Sequence, residues 1–419
     1  MSEPLSERAS APPSLKDAEW LKRPQVSRVF AALSKEGVTT RVVGGAVRNT
    51  LLGLPVSEID LATTALPERV MALAKSAGLK AVPTGIEHGT VTVIADNVPF
   101  EVTTLRRDVE TYGRHATVAF TENWEEDAKR RDFTLNALYA DADGTVFDPL
   151  DGYGDLMAGR VRFIGQAEDR IKEDYLRILR FFRFNAYYGK GALDAEGLAA
   201  CVKLRTGLGQ LSAERVAAEL RRILVAPRAE GAIKALFDYG LLTDLLGGAP
   251  RMTRFARLVA AEEALGLTPD PALRLAALAV FVDEDAERLA ARLRLSNAEQ
   301  AVLLLGAADH ERRELPDEAA ARRSLYQLGP CKFEAHVLLA SADEGVPPDD
   351  KRWRQALRLA DRWQAPEFPL RGTDITALGD VKGPEIGAAL KQLEAEWIAS
   401  DFTLDRETLL ARARELVKS

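Results

Sequence analysis

The sequence predicts a multidomain α+β protein, in which an N-terminal domain with a small mixed β-sheet is followed by an all-helical remainder. The 419 residues are 47% hydrophobic, which is enough for two to four domains with cores of their own. Short β-rich runs alternate with helical stretches from Trp20 to about Pro149, whereas nearly every segment from about Arg160 to Ser419 follows helical spacing. This composition excludes disordered and fibrous classes.

Six β-rich runs predict the strands of the N-terminal sheet. They span residues 39–43, 59–62, 90–95, 100–104, 134–140 and 145–148. Beyond residue 151, Gly and Pro residues separate helical runs that are rich in Leu, Ala and Arg. We therefore expect the change from sheet to helices at about this point.

Charge and cysteine content limit the partners and the compartment. The chain carries 56 Lys and Arg against 63 Asp and Glu, a formal charge of -7, so a nucleic-acid partner needs a local basic face. Residues 160–230 have 14 Lys and Arg against 9 Asp and Glu, a net +5, which suits phosphate contacts. Solvated helix faces with ion pairs explain this net positive charge equally well. With two distant cysteines, no apolar leader and no membrane-length run, we expect a soluble cytoplasmic protein with no membrane partner.

The segment from Arg41 to Gly53 predicts a phosphate-binding turn. A strand that ends at Gly44 and Gly45 and leads into a helix brings backbone N–H groups and the positive end of the helix dipole together. Arg48 lies one turn inside this helix. Such a Gly-Gly pair on its own is more often only a tight turn.

Three carboxylates follow the turn. Glu58 and Asp60 are spaced i, i+2 on a predicted strand, so both side chains are expected on one face of the sheet. Two such hard oxygen ligands beside a triphosphate site are what Mg²⁺ chemistry requires. Glu101 lies between apolar residues, as an inward-pointing acid on a strand does. In isolation, paired acids on a strand are more often a solvated face.

In this order and spacing, the turn and the acids resemble the nucleotidyltransferase superfamily of DNA polymerase beta. Five further motifs narrow the resemblance to one family, which contains the class II tRNA nucleotidyltransferases (CCA-adding enzymes) and the bacterial poly(A) polymerases. These motifs are RRDFTLNA at 130–137, DPLDG at 148–152, RFIG at 162–165, EDYLRILRFFRF at 173–184 and LSAERVAAEL at 211–220. The resemblance runs from about Arg41 to Leu224, and the region from Gly372 to Trp397 is similar to the family's tail, less distinctively.

The resemblance implies an architecture and a reaction. It implies an N-terminal extension over 1–24, a catalytic head over 25–150, a helical neck that selects the base over 151–230, and a helical body and tail that bind RNA over 231–419. The implied reaction transfers CMP and AMP from CTP and ATP to the 3′ end of tRNA and releases pyrophosphate. Mg²⁺ is the implied cofactor, and tRNA, held at its acceptor end and elbow, is the implied partner.

The resemblance also implies roles for individual residues. The implied catalytic residues are Glu58, Asp60 and Glu101, of which Glu58 and Asp60 hold the metal ions. The implied nucleotide-binding residues are Gly44, Gly45, Arg48, Arg131, Asp132, Asn136, Glu173, Asp174, Arg177 and Arg180. Glu58 stands where the family commonly has Asp, and Asn49 stands where it commonly has Asp after Val-Arg. Both changes leave metal binding and hydrogen bonding possible.

Base selection can be argued from the residues themselves. On a helix, Asp174 and Arg177 would be i, i+3 neighbours that point the same way. Asp accepts and Arg donates, so the pair matches the amino group and adjacent ring acceptor of cytosine or adenine, and opposes uracil and guanine. Glu173, four residues before Arg177, is expected to hold its guanidinium. An ordinary surface ion pair is the alternative explanation.

Several alternatives stay open at this stage. The polar run from Leu105 to His115 resembles the flexible loop of full CCA-adding enzymes, or is an ordinary exposed loop. No histidine precedes an Asp, so no second, hydrolytic site is expected. The product can be a complete CCA end, a partial CC or A addition, or a poly(A) tail, which the lack of an additional basic segment disfavours. A non-catalytic RNA-binding protein is the remaining alternative, and the oligomeric state is not predicted.

Overall fold

A computed structural model describes residues 11–112, 115–307, 317–379 and 383–418. The chain divides into two compact units, one of which ends at Leu245 while the other begins at Leu246. No helix in these ranges is long and apolar enough to cross a membrane. The finer domain boundaries at 24, 150 and 230 stay predictions.

The first unit contains the β-sheet, as expected. Its strands are β1 Thr40–Val43, β2 Asp60–Thr63, β3 Lys80–Gly85, β4 Thr90–Ala95, β5 Val98–Thr104, β6 Arg106–Tyr112, β7 His115–Phe120, β8 Tyr139–Ala140 and β9 Val146–Phe147. In the described chain, seven of them form one sheet in the order β3-β4-β5-β2-β1-β8-β9, and β6 pairs with β7 as a separate hairpin. The β2–β5 pair is parallel and the other pairs of the sheet are antiparallel, so the sheet is mixed.

Strand register determines where the predicted carboxylates emerge. Val43, at the end of β1, lies opposite Asp60, and Leu61 of β2 lies beside Val102 of β5. Leu61 and Val102 are buried. Because successive side chains alternate between the two faces of a strand, Asp60 and Glu101, one residue earlier on each strand, emerge together on the opposite, open face.

Helices cover the other face of the sheet and continue beyond it. In the first unit they are α1 Pro24–Leu33, α2 Gly45–Leu51, α3 Pro67–Ser76, α4 Trp124–Lys129, α5 Gly152–Ala158, α6 Ala167–Glu173, α7 Leu176–Tyr188, α8 Ala195–Lys203, α9 Ala213–Leu224 and α10 Ala229–Asp238, and α11 Leu242–Leu246 includes the boundary between the units. Helix α7 buries Ile178, Phe181 and Phe182 in the core. Its arginines Arg177 and Arg180 repeat at i, i+3 and stay partly accessible on another face.

The second unit is entirely helical where it is described, as the spacing predicts. Its helices are α12 Met252–Leu265, α13 Pro271–Ala279, α14 Asp283–Leu293, α15 Asn297–Leu304, α16 Glu318–Leu328, α17 Pro330–Glu344, α18 Lys351–Leu357, α19 Leu359–Arg362, α20 Gly372–Thr376, α21 Gly383–Ala399 and α22 Arg406–Lys418. One apolar cluster forms around Phe333 and Trp353, and another around Ile375 and Trp397. The multidomain α+β prediction is confirmed.

One strand prediction is wrong in detail, and three strands of the structure have no predicted counterpart. Residues 134–140 form a 3-10 turn over Thr134–Asn136 and only a short strand after it, because the Thr134 hydroxyl donates to Asp155 at 2.7 Å and the Asn136 amide donates to Asp132 at 2.9 Å. These side-chain bonds favour a turn over a ladder. Strands β3, β6 and β7 were not predicted. The side chains of β3 are all at least partly accessible, so it lacks the alternation that marks a half-buried strand.

Candidate active site

The predicted site residues surround one cavity of about 650 Å³ in the first unit, between the open face of the sheet and helix α7. A volume of this order suits a nucleotide-sized ligand. All the predicted catalytic and nucleotide-binding residues except Glu173 line it, and they are joined by Val43, Leu61, Thr90, Thr103, Arg106, Arg130, Leu176, Arg183, Phe184 and Arg215. The structure thus brings together residues that are far apart in the chain, from Val43 to Arg215.

Carboxylates form one wall of the cavity. Asp60 and Glu101 emerge from adjacent strands, whereas Glu58 lies in the segment before β2, so the prediction that Glu58 is on the strand is wrong. Glu101 is exposed to the cavity and not directed into the core, which corrects the second expectation. Burial, and then repulsion from Glu101 and Glu58, raise the pKa of Asp60 to about 6.

This wall has the donors for a hard cation. In the described ranges, no Lys or Arg forms an ion pair with the carboxylates of Glu58, Asp60 or Glu101. The same ranges contain no group of three or more His, Cys, Asp and Glu side chains arranged to enclose a metal ion. A cation here would therefore take some of its ligands from the substrate, as Mg²⁺ commonly does with phosphates.

The Gly-Gly turn differs from the prediction at Gly44. This residue has φ 69°, a backbone region that Gly adopts without strain, and it precedes helix α2. Its N–H donates to the Leu138 carbonyl at 3.0 Å and is not available to a phosphate. The Nη1 atom of Arg131 lies 4.0 Å from the position of a Cβ on Gly44, so a cation adjoins the turn.

Arg48 is more enclosed than we expect of an arginine that binds a triphosphate at the start of a helix. Its guanidinium donates to Asn49 Oδ1 at 3.0 and 3.1 Å, to Tyr188 Oη at 2.7 Å and to Asn136 Oδ1. It also lies over the rings of Tyr188 and Phe184. These contacts use four of the five N–H groups of an arginine. At most one N–H remains for a phosphate.

A buried network orients the next arginine. The Asp127 carboxylate accepts from Arg131 at 3.1 Å and from the Tyr139 hydroxyl at 2.8 Å, and it pairs with Arg130 at 2.7 Å. Burial opposes the charge on Asp127, but Arg131 and Arg130 lower its pKa below the ordinary value. The arginines are thereby held at the cavity rim with donors to spare.

Asp132 lines the cavity but is largely buried, and it binds neighbouring protein groups. It accepts from Arg180 Nε at 2.8 Å and from the Asn136 amide, and caps the Phe133 N–H at 2.9 Å. Although burial opposes ionisation, Arg180 and these hydrogen bonds lower the pKa of Asp132 to about 2. Asp132 therefore orients Arg180 toward the cavity.

The base-selecting residues lie at a helix junction. Asp174 is in an extended conformation between α6 and α7, so the prediction that it shares a helix with Arg177 is wrong. Nevertheless both side chains line the cavity. Glu173 forms an ion pair with Arg177, as its spacing predicts, and another with Arg170.

Arg215 holds Asp174 in place. Its Nη2 donates to Asp174 Oδ2 at 2.7 Å, while Oδ1 accepts the Leu176 N–H at 3.1 Å. Behind the junction, a Cβ on Gly207 would lie 2.0 Å from the ring of Tyr175, so only glycine allows this packing. Both oxygens of Asp174 keep a free lone-pair direction for a base.

Sequence reasoning also missed residues that hold the charged groups of this site in place, among them Asp127, Tyr139, Tyr188 and Arg215, and Glu219, which forms an ion pair with Arg183. Asp127 precedes Arg130 and Arg131 by three and four residues, the spacing of ion pairs on a helix, which was a usable signal. Arg215 and Glu219 lie in the motif at 211–220 that the resemblance includes. Tyr139 and Tyr188 had no such signal.

The predicted flexible loop is largely a β-hairpin, β6–β7. Its tip residues Gly113 and Arg114, and the side chains of residues 108–118, lie outside the described residues. The loop's role in nucleotide selection stays a prediction. His88 is exposed in a 3-10 turn, and its carbonyl accepts from Arg106.

Two protein-family models match this chain. Residues 40–162 match the poly A polymerase head domain, and residues 192–253 match a family described as the probable RNA and SrmB-binding site of polymerase A. Together they include the sheet, the carboxylate wall and helix α9. This agrees with the resemblance from Arg41 to Leu224.

Curated relatives and solved structures extend the likeness to most of the chain. CCA tRNA nucleotidyltransferase 1, mitochondrial, of Mus musculus is 36% identical over 90% of this chain and 87% of its own. The CCA-adding enzyme of Limosilactobacillus fermentum is 31% identical over 95% and 97%. The crystal structure of Bacillus stearothermophilus CCA-adding enzyme in complex with CTP is 28% identical, with a TM-score of 0.73 over 94% of this chain and 98% of that one. With the cavity's carboxylates and arginines in the family's order, this chain belongs to the CCA-adding tRNA nucleotidyltransferase family.

Proposed function

We propose that this chain adds CMP and AMP, taken from CTP and ATP, to the 3′ end of tRNA and releases pyrophosphate. The observation that carries the proposal is a single cavity with three carboxylates on one wall and, across from them, Asp174 and Arg177 among arginines. One wall has the carboxylate ligands for a metal ion that assists phosphoryl transfer. The other has a hydrogen-bond donor and a hydrogen-bond acceptor for a nucleobase. Relatives named as CCA-adding enzymes support the choice of tRNA.

Glu58 and Asp60 hold Mg²⁺ in this proposal, and Glu101 completes the acidic wall. The residues fit the ion because their carboxylates have no ion-pair partner in the described part of the chain and are hard oxygen ligands. When bound, the metal lowers the pKa of the attacking hydroxyl and neutralises charge on the α-phosphate and the leaving group. The protein contributes the positions of Asp60 and Glu101 on adjacent strands, with Glu58 in the segment that leads into β2.

The arginines around Gly44 and Gly45 hold the triphosphate. Arg131 is oriented by Asp127 and keeps Nη1 beside the glycine turn, and Arg180 is oriented by Asp132. Planar guanidinium groups bind phosphate oxygens through paired N–H donors. Arg48 has only one donor left, so its main contribution is to hold Asn136 and the turn.

Asp174 and Arg177 select the base. Asp174 accepts from the exocyclic amino group of cytosine or adenine, and Arg177 donates to the neighbouring ring nitrogen. Glu173 and Arg215 hold the two side chains in this orientation. Uracil and guanine present a carbonyl and a ring N–H at these places, which leaves buried groups unpaired.

The test uses purified protein and three acceptors: tRNA transcripts that lack the CCA end, transcripts that end in CC, and an unrelated RNA. Each is incubated with CTP, ATP, UTP or GTP alone and with CTP and ATP together. We expect CMP on the first transcript, AMP on the second, a complete CCA end with both nucleotides, and no extension of the unrelated RNA. Addition of CC alone or A alone would indicate a partial enzyme, long adenosine tails on any RNA a poly(A) polymerase, and no incorporation a non-catalytic RNA-binding protein.

A further inference from the structure

A second cavity lies on the far side of the acidic wall. It has a volume of about 450 Å³ and is lined by Arg23, Gln25, Ser57, Ile59, Thr92, Val98, Pro99 and Phe100, together with Glu58, Asp60 and Glu101. The last three residues also line the first cavity. The carboxylates therefore separate two cavities and face both of them.

The charges of the two cavities differ in sign. Eight arginines and five Asp or Glu residues line the first cavity, a formal charge of +3. The second has Arg23 against Glu58, Asp60 and Glu101, a formal charge of -2. A triphosphate is a polyanion and is favoured on the arginine side. The second cavity suits a group with little charge that must reach the carboxylates.

The lining of the second cavity matches the end of an RNA chain. Val98 is 41% exposed, and with Pro99 it offers an apolar surface for a base. Gln25, Ser57 and Thr92 supply polar groups, and Thr92 shares a hydrogen bond with Thr84 at 2.8 Å. Arg23 is the cavity's one cation and no carboxylate in the described chain pairs with it. A terminal nucleotide has these needs: a base, a sugar with free hydroxyls, and one phosphodiester.

Arg23 is held in place by a packed segment. Trp20 is buried, and its indole N–H donates to the Thr50 hydroxyl of helix α2 at 2.7 Å. The Arg23 N–H donates to the Trp20 carbonyl at 3.3 Å, and helix α1 begins at the next residue. The guanidinium of Arg23 therefore extends from a backbone whose position is tied to the wall of the active site.

We propose that this second cavity binds the 3′-terminal nucleotide of the acceptor RNA, with Arg23 as a positioning residue for its phosphodiester. This rests on the proposed function. Like charges repel, so the phosphodiester lies toward Arg23 and the uncharged 3′-hydroxyl toward Asp60 and Glu101. The hydroxyl then meets the α-phosphate of a nucleotide in the first cavity across the shared carboxylates.

The test compares Arg23→Ala, Arg23→Lys and Lys22→Ala with the parent. Lys22 is the neighbouring exposed cation, pairs with Asp17 at 3.5 Å and lines neither cavity. For AMP addition to a minihelix that ends in CC, we expect Arg23→Ala to raise KM for the RNA about tenfold, the loss of one charge-assisted contact, and to leave KM for ATP unchanged. Arg23→Lys and Lys22→Ala should stay near the parent.

Binding without catalysis is the second measurement. In EDTA, the Kd of the same minihelix should rise for Arg23→Ala by a similar factor, and that of ATP without RNA should not. An Arg23→Ala variant that matches Lys22→Ala in both RNA measurements, or that weakens ATP as much as RNA, overturns the assignment. A parent that binds the minihelix but transfers no nucleotide refutes the proposed function instead, and the EDTA comparison still decides whether Arg23 holds the RNA end.

Discussion

Asp60 carries the proposed chemistry at the scale of the single residue. It has no ion-pair partner in the described chain and lies beside two other acids. We expect Asp60→Ala to abolish incorporation of both CMP and AMP while tRNA affinity stays close to that of the parent, because other residues hold the phosphates of the RNA. Glu58→Asp should retain activity, since the carboxylate remains. Residual activity of Asp60→Ala within about tenfold of the parent would contradict a metal-binding role.

Asp174 tests whether the protein itself reads the base. Asp174→Ala removes the acceptor for the amino group, so the preference for CTP over UTP should shrink by about 1–3 kcal/mol, roughly ten- to a hundredfold. Arg215→Ala should act in the same direction, because Arg215 holds Asp174 at 2.7 Å. The measurement is the ratio of kcat/KM for CTP and UTP on tRNA without its CCA end.

The control for this ratio is Arg205→Ala, which removes an exposed arginine that donates to the Val202 carbonyl and lines neither cavity. It should leave the ratio unchanged. If Asp174→Ala slows both nucleotides equally, Asp174 is a structural acid and the selection depends on another group.

At the scale of secondary-structure elements, one side-chain contact joins helices α2 and α7. Arg48 of α2 donates to the Tyr188 hydroxyl of α7 at 2.7 Å and lies 4.1 Å above its ring. Tyr188→Phe should lower the free energy of unfolding by about 0.5–1.5 kcal/mol, and Tyr188→Ala by more, since the cation–π contact is lost as well. Urea unfolding measures both. Tyr187→Phe, whose hydroxyl makes only a 3.4 Å contact with Arg222, is the matched control and should cost less.

The pair of Asp132 and Arg180 connects the turn after α4 to helix α7 and makes stability depend on pH. The folded pKa of Asp132 is about 2, below the ordinary unfolded value of about 3.9. Its contribution is therefore complete above about pH 5 and is lost as the pH falls through 4 toward 2, in total about 2–3 kcal/mol. In Asp132→Asn this contribution is absent. The difference in unfolding free energy between parent and variant should shrink over this window, and a constant difference would contradict the assignment.

At the scale of the whole molecule, the question is which cations remain for RNA. Within residues 160–230, many basic side chains are engaged in ion pairs, among them Arg170, Arg177, Arg180, Arg183 and Arg215. The net +5 thus overstates the free positive surface, although exposed cations such as Lys190, Arg205 and Arg228 remain. The RNA contacts must be made by these or by cations elsewhere in the chain.

The affinity for tRNA should fall linearly with salt on logarithmic axes, with a slope of about -0.7 to -0.9 for each phosphate neutralised. Reversing Lys190, Arg205 and Arg228 to Glu together should flatten the slope, and Lys22→Glu should not. Titrations of labelled tRNA at several salt concentrations measure this. An unchanged slope in the triple variant would mean that the segment is only a solvated surface.

Local patterns in the sequence were enough to predict several features of the fold and of the site. The change from sheet to helices and the acids at positions 58, 60 and 101 depend on periodicity or on close neighbours in the chain. The ion pair of Glu173 with Arg177 follows from their closeness in sequence, although Glu173 ends α6 and Arg177 lies in α7. Such patterns report local structure, because residues three or four positions apart stay close in space whatever the rest of the fold does. The order of the motifs indicated the family for the same reason, since it is a property of the chain itself.

Only the tertiary structure decided the partners and the faces. Arg48 meets Asn136 and Tyr188 across 88 and 140 residues, Asp174 meets Arg215 across 41, and Glu101 faces a cavity and not the core. These contacts depend on how separate elements pack, and no spacing within one element encodes that. The position of Arg23 beside the acidic wall has the same origin, because the hydrogen bond of Trp20 to Thr50 brings this segment to acids that lie at positions 58, 60 and 101.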